Sequence, residues 1–212
     1  MRKSLSVLFC VLFTASFALS QGIASSIEGF KAQAFLSIDS WSSDSFFLGD
    51  ISDDDSSGTG FGVELAYGVN ESMEAYVSYS QTKYAEDQNW DIYRSRSIEL
   101  GGRYHFGASL QKFRPFAQVF LSSSTMKLEP IFIMEGGTTI YDNAEMKLNG
   151  ILFGAGAGVN YYIIPDFSLG LNVSGKLGSY SSVKVNGNKY DPGDSIDLSF
   201  FRIRLTASYH FY

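Results

Sequence analysis

Ile151-Leu152-Phe153-Gly154-Ala155-Gly156-Ala157-Gly158-Val159-Asn160-Tyr161 is the stretch that decides the fold. It is apolar enough for a buried helix, but Gly154, Gly156 and Gly158 each disfavour one by up to about 1 kcal/mol against alanine. Ile151, Phe153, Ala155, Ala157, Val159 and Tyr161 take the alternate positions. A two-residue period with one bulky and one nearly bare face belongs to a β-strand.

Working outward, the same period recurs on both sides. Phe30 to Ile38, Phe61 to Val69, Met73 to Tyr79, Ile98 to Phe106, Pro115 to Leu121, Phe167 to Val173 and Phe201 to Phe211 each set large apolar residues against small or polar ones. In the fifth segment this parity puts Phe116 and Phe120 on the small, polar face with Arg114 and Gln118. Ile196, Leu198 and Phe200 have the opposite parity to Phe201–Phe211, which predicts a bulge near Phe200.

The connections alternate in length. Those at Asn70 to Ser72, Gly107 to Gln111 and Ile163 to Asp166 are tight, whereas Ser40 to Thr59, Lys83 to Tyr93, Ser122 to Lys147 and Ser179 to Ser195 are long. In an up-and-down antiparallel sheet, every second connection returns to the same rim. The reading is all-β: an eight-stranded antiparallel up-and-down transmembrane barrel with short turns at one rim and long loops at the other.

The period alone does not say which face looks inward. The polar face is mostly Gly, Ser, Ala and Asn, with a few charges of both signs, whereas a water-exposed barrel wall would be dense in Lys and Glu. Small residues suit the cramped interior of an eight-stranded barrel, which its own side chains fill. Phe30, Tyr67, Tyr104, Phe106, Phe113, Tyr161, Phe167, Tyr209 and Phe211 gather near the short-turn rim, as an interfacial girdle does. The large apolar face therefore points to lipid.

Composition agrees. Only 18% of the 212 residues are charged and 16% are aromatic, below and above the habits of soluble or disordered chains respectively. A net charge of −6 without a cluster of consecutive basic residues argues against nucleic acid as a partner. Two His and one Cys leave too few ligands for a zinc site, and no cofactor or metal is expected. Met1-Arg2-Lys3-Ser4, the apolar run Leu5 to Leu19 and Ala18-Leu19-Ser20 read as a signal peptide over residues 1–20. The barrel domain is expected to occupy 21–212. The run is too short to span a bilayer as a helix, and Cys10 falls within it.

Three further segments carry a family likeness. They are Phe113-Arg114-Pro115-Phe116, the glycine-alternating stretch that ends at Tyr161, and Pro165-Asp166-Phe167-Ser168-Leu169-Gly170-Leu171. With the closing Leu205-Thr206-Ala207-Ser208-Tyr209-His210-Phe211-Tyr212, the chain resembles the small outer-membrane barrels of the OmpA-type transmembrane domain and OmpX kind. The resemblance implies a bacterial outer membrane, long loops outside and both termini in the periplasm. It also implies assembly by the barrel assembly machinery through Leu205, Ala207, Tyr209 and Phe211. The family usually ends on the aromatic itself, whereas here Tyr212 follows Phe211. Peptidoglycan binding is not carried over, because OmpA-type proteins use a separate C-terminal domain for it.

Candidate sites follow from this orientation. Glu64, Glu99, Arg103, Lys176, Arg202 and Arg204 are expected to form a charge network across the lumen, either a static plug or, as the OmpA resemblance suggests, the gate of a narrow channel. Two loops are candidates for partner binding: Ile131, Phe132, Ile133, Met134, Ile140 and Tyr141 around Glu135-Gly136-Gly137, and Val183, Val185 and Tyr190 around Asn186-Gly187, a strong hairpin signal. An exposed edge of this kind can accept another strand. The acidic loop Asp44, Asp50, Asp53, Asp54 and Asp55 lacks the spacing of a calcium loop. His105 and His210 map to the short-turn rim, so a serine nucleophile near the outer leaflet would lack a histidine base, and no enzyme is expected. The expected role is that of an envelope or surface protein. Its loops would touch lipopolysaccharide, host molecules or other cell-surface molecules. The alternative is a narrow channel or a route for a small hydrophobic ligand.

Overall fold

The structure, a computed structural model, describes residues 27–43, 57–84, 92–108, 111–135, 138–190 and 196–211. The expected signal peptide and the acidic loop at 44–55 lie outside the described residues.

Strict alternation of outward and inward side chains lets each segment form a strand that is lipid-facing on one side and packed on the other. The strands are β1 (Gly29–Ser42), β2 (Ser57–Gly68), β3 (Met73–Tyr84), β4 (Ile92–His105), β5 (Phe113–Glu135), β6 (Thr138–Ile164), β7 (Phe167–Val185), β8 (Asn188–Tyr190) and β9 (Ile196–Phe211). Each long strand pairs antiparallel with its neighbours, and β9 closes the ring by pairing with both β1 and β7. Eight strands make the barrel, while β8 folds back on the end of β7.

The wall changes character along its height. From Phe201 to Phe211 on β9, every second residue is apolar and exposed on the outer wall. At about 2.5 Å of axial rise per tilted residue, that band is about 25 Å tall, the thickness such barrels present to lipid. Phe30 stacks near Tyr67 at 5.0 Å and Phe113 near Tyr161 at 4.8 Å along its short-turn edge. Beyond the opposite edge the pattern inverts. Outward positions become polar, as at Ser199, Arg96 and Lys147, and inward ones become apolar. Trp41, Tyr93, Met126, Leu148, Tyr180 and Phe200 are among the residues of a buried core in this outer half. There the barrel wall packs as a soluble barrel does.

That inversion corrects the bulge expected near Phe200. Pairing of β9 with β1 and β7 runs unbroken through Phe200; Ile196, Leu198 and Phe200 face inward in step with Arg202 and Arg204. The interior changes chemistry at that height while the parity stays constant. The register does shift further up the wall, in the β6–β7 pairing, between Tyr180 and Ser182 on β7.

Two expected loops also prove to be strand over much of their length. β5 and β6 stay paired from Phe113–Tyr161 up to Glu135–Thr138, with register shifts only beyond Leu128. β7 continues to Val185 and turns at Asn186 and Gly187, both at positive φ (50° and 81°). That is the backbone a two-residue hairpin requires, and it explains the Asn-Gly pair. The Asn186 side chain accepts a hydrogen bond from the Glu145 amide at 2.9 Å, tying the hairpin to β6.

Phe116 and Phe120 do face inward. Each lies across a glycine of β6: a Cβ on Gly158 would sit 2.5 Å from the Phe116 ring, and one on Gly154 would meet Phe120. The alternating glycines of β6 are the space into which these rings fold, the pairing known as aromatic rescue.

Candidate functional site

All six expected lumen residues are buried inside the barrel, and they fall into two groups. Nearer the short-turn rim, Arg103 on β4 makes a paired contact with Glu64 on β2, at 2.5 and 2.6 Å. It also donates to Glu74 at 2.8 Å and to Gln118 at 2.9 Å. Lys31 on β1 reaches Glu74 at 2.7 Å, and the Arg103 guanidinium lies 4.1 Å from the centre of the Tyr76 ring. Two carboxylates and two cations balance here. Bidentate geometry of this kind is the arrangement that offsets desolvation best.

The second group spans the lumen. β9 and β4 lie on opposite walls of the ring, four strands apart. Arg202 and Arg204 cross it to Glu99, the former at 2.7 Å. Arg202 also binds Asp39, whose carboxylate further accepts from Thr82 at 2.6 Å and Ser37 at 2.8 Å. Lys176 on β7 completes the group, 3.9 Å from Glu99 and 3.1 Å from Ser97 on β4. Above it, the Trp41 indole donates to the Tyr93 hydroxyl at 2.7 Å, again from β1 across to β4. Successive layers of the interior are bridged from wall to wall.

Sequence reasoning left Asp39, Lys31 and Glu74 out of the network. Lys31 and Glu74 lie on the polar face of their segments, but the sequence shows no partner for either, since their contact depends on register. Asp39 continues the parity of Phe35 and Ser37 by one step; carrying the alternation past Ile38 would have found it.

The candidate loop residues divide. Val183 and Val185 do not present an exposed edge: they are 2% and 0% exposed and belong to the outer core, because the shift near Ser181 turns them inward. That corrects their assignment as partner contacts. Ile131, Phe132, Ile133, Met134, Ile140 and Tyr141 lie on the paired ends of β5 and β6, and Tyr190 on β8; their side chains lie outside the described residues. Leu205, Ala207, Tyr209 and Phe211 all face outward on β9, the strand at the closing seam. His105 and His210 are buried at the short-turn end, the latter 3.1 Å from the Ser168 hydroxyl. Among the described residues, no cluster of His, Cys, Asp and Glu has the geometry of a metal site.

No protein-family model matches the chain, and no curated protein matches it either. Solved structures do share its fold. Neisserial surface protein A aligns with a TM-score of 0.62 at 18% identity, over 87% of this chain and 98% of that one. Ail, the attachment invasion locus protein of Yersinia pestis, aligns at 0.52 and 15%, over 87% and 100%. The outer-membrane protein OprG of Pseudomonas aeruginosa aligns at 0.54 and 11%, over 90% and 100%. The fold is that of the small outer-membrane barrels.

Proposed function

We propose that this barrel is a closed, non-catalytic surface protein of the bacterial outer membrane, and that its β5–β6 ribbon contacts molecules outside the cell. The observation that carries the reading is the length of β5 and β6 beyond the lipid-facing band. β5 continues from Leu121, the last apolar residue exposed on its outer wall among the described side chains, to Glu135, a rise of up to roughly 35 Å for tilted strands. The apolar core beneath supports the base of that ribbon. A wall held up so far from the membrane serves contact better than passage. The interior supports the same choice, since ion pairs and aromatic side chains bridge it from wall to wall. Attachment is part of the name of Ail and is said of that protein; the shared fold supports the same class of role here.

Deleting residues 130–141 in bacteria that display the barrel tests the proposal. Adhesion to a cultured epithelial layer should fall to the level of cells lacking the protein, while the shift in gel mobility on boiling stays unchanged. Undiminished adhesion with a folded barrel rejects the ribbon as the contact.

A further inference from the structure

We propose that the middle of the lumen binds one chloride ion, held by Arg204, Tyr76 and Ser122 beside the Glu99 group. What points there is a set of donors that the fold buries and leaves without an acceptor. Arg204 is 1% exposed and gives only Nη2 to Glu99; its Nε and Nη1 have no hydrogen-bond partner among the described residues. The hydroxyls of Tyr76 and Ser122 are likewise buried and unpartnered. A guanidinium N–H can only donate, and a buried donor left unmet carries its full desolvation cost. The site is independent of what the β5–β6 ribbon contacts.

Register brings these groups to one place. Ser122 lies directly opposite Glu99 in the β4–β5 pairing, which sets their Cβ atoms about 5 Å apart. Tyr76 reclines across Gly101, one inward step below Glu99 on β4. A Cβ on Gly101 would sit 2.6 Å from Cζ, the ring carbon that carries the hydroxyl. Arg204 arrives from β9 on the opposite wall to touch Glu99. Glu99 is thus the common neighbour of all three, with one inward step along β4 amounting to about 7 Å. Phe35 covers one face of the Arg204 guanidinium, its ring centre 4.5 Å from Cζ. That leaves the guanidinium plane, where the remaining N–H groups point, for an acceptor.

Charge and size select the acceptor. Arg202, Arg204 and Lys176 share two carboxylates, Glu99 and Asp39. Nearer the short-turn rim, by contrast, Arg103 and Lys31 are matched by Glu64 and Glu74. Three cations therefore meet two carboxylates in the group that holds the unmet donors, and buried charge is tolerated only where it is paired. Water would satisfy the donors and leave the extra charge; an anion answers both. The Trp41–Tyr93 hydrogen bond and the apolar core close the lumen above, and the Arg103–Glu64 pair crosses it below. An ion between those layers shares a barrel that its own side chains fill. That favours a monatomic anion over phosphate, sulfate or a carboxylate, and chloride is the abundant one.

The test is equilibrium unfolding in lipid vesicles, with chloride replacing gluconate at constant ionic strength. An ion bound only by the folded state favours folding in proportion to its concentration once that exceeds Kd. Between about 10 mM and 1 M chloride, the wild-type folding constant should rise about tenfold or more for a Kd of about 100 mM or tighter. Arg204→Met removes the main donors and the extra charge and should be indifferent to chloride, which also measures any general effect of the salt. Tyr76→Phe and Ser122→Ala each delete one hydroxyl, and each should weaken chloride binding about tenfold, the worth of one hydrogen bond to an ion. If those hydroxyls face nothing, their removal leaves stability unchanged or raises it in both salts. If they face water, removal costs the same in both. Either result overturns the proposal, as does a wild type that chloride stabilises no more than Arg204→Met. Should the variants not fold, crystals of wild type refolded in bromide decide, since the ion is captured as the barrel closes. An anomalous peak within hydrogen-bond reach of Nη1 of Arg204 supports the site, and a lumen without one overturns it.

Discussion

Replacing Glu99 by Gln keeps the side-chain volume and removes a single charge from the middle of the barrel. Glu99 is fully buried and faces Arg202 at 2.7 Å, Arg204 in direct contact and Lys176 at 3.9 Å. Its group already holds more cations than carboxylates, with only Asp39 beside Glu99 on the negative side. Removing one member of a buried pair typically costs 3–5 kcal/mol, chiefly because the partner stays buried and uncompensated, so Glu99→Gln should cost about that much. Arg204→Met deletes the same contact but brings the group to balance, and should cost only about 1–2 kcal/mol. The double variant should be more stable than the sum of the two losses, which is the signature of direct coupling. Urea unfolding in lipid vesicles, followed by tryptophan fluorescence, measures all three. A cost below about 1 kcal/mol for Glu99→Gln would mean that water solvates these charges, and the account of a plugged lumen would fail.

Other substitutions probe other layers. Gly158→Val should destabilise by about 3 kcal/mol or more, since its Cβ would meet both the Phe116 ring and the Leu171 carbonyl oxygen at 2.5 Å; Ala157→Val, one residue away on the lipid face, should be near neutral in the same titration. Leu148→Asp, in the buried outer core, should cost at least about 3 kcal/mol and expose the β5–β6 ribbon to external protease while the membrane-embedded part stays folded. Hydrogen bonds from Lys127 and Lys147 hold the Glu145 carboxyl below its ordinary value. Its contribution to the ribbon is therefore complete above the unfolded carboxylate pKa and is lost as pH falls through the lower folded one. Once the slower intrinsic exchange of amides in acid is divided out, protection at the outer ends of β5 and β6 should fall on acidification, by no more than about 1 kcal/mol for a pair so close to water, and Glu145→Gln should remove that dependence.

Much of this fold can be read along the chain because a transmembrane strand carries its orientation in every second residue. Ile151 to Tyr161 shows the membrane-facing wall, and the Phe116 and Phe120 parity holds because the facing glycines make room. What could not be read depends on neighbours. The inward turn of Ile196, Leu198 and Phe200 resembles a slip in register until the apolar residues of the other strands appear at the same height. Val183 and Val185 look like an exposed edge until a shift near Ser181 rotates them. Among the charges, residue type and parity place Glu99 and Arg204 inside, but only the four-strand separation of β4 and β9 shows that they meet across the lumen.

Through the middle of the barrel the large apolar face meets lipid, and above it the wall gives way to water. Spin labels at Leu65, Leu171 and Ser199, all on the outer wall, test it in reconstituted vesicles by collision with oxygen and with a water-soluble nickel reagent. The labels at Leu65 and Leu171 should respond to oxygen and be shielded from nickel, whereas the label at Ser199 should respond to nickel. Strong nickel contact at Leu65 and Leu171 would place that face in water and contradict the account at its base.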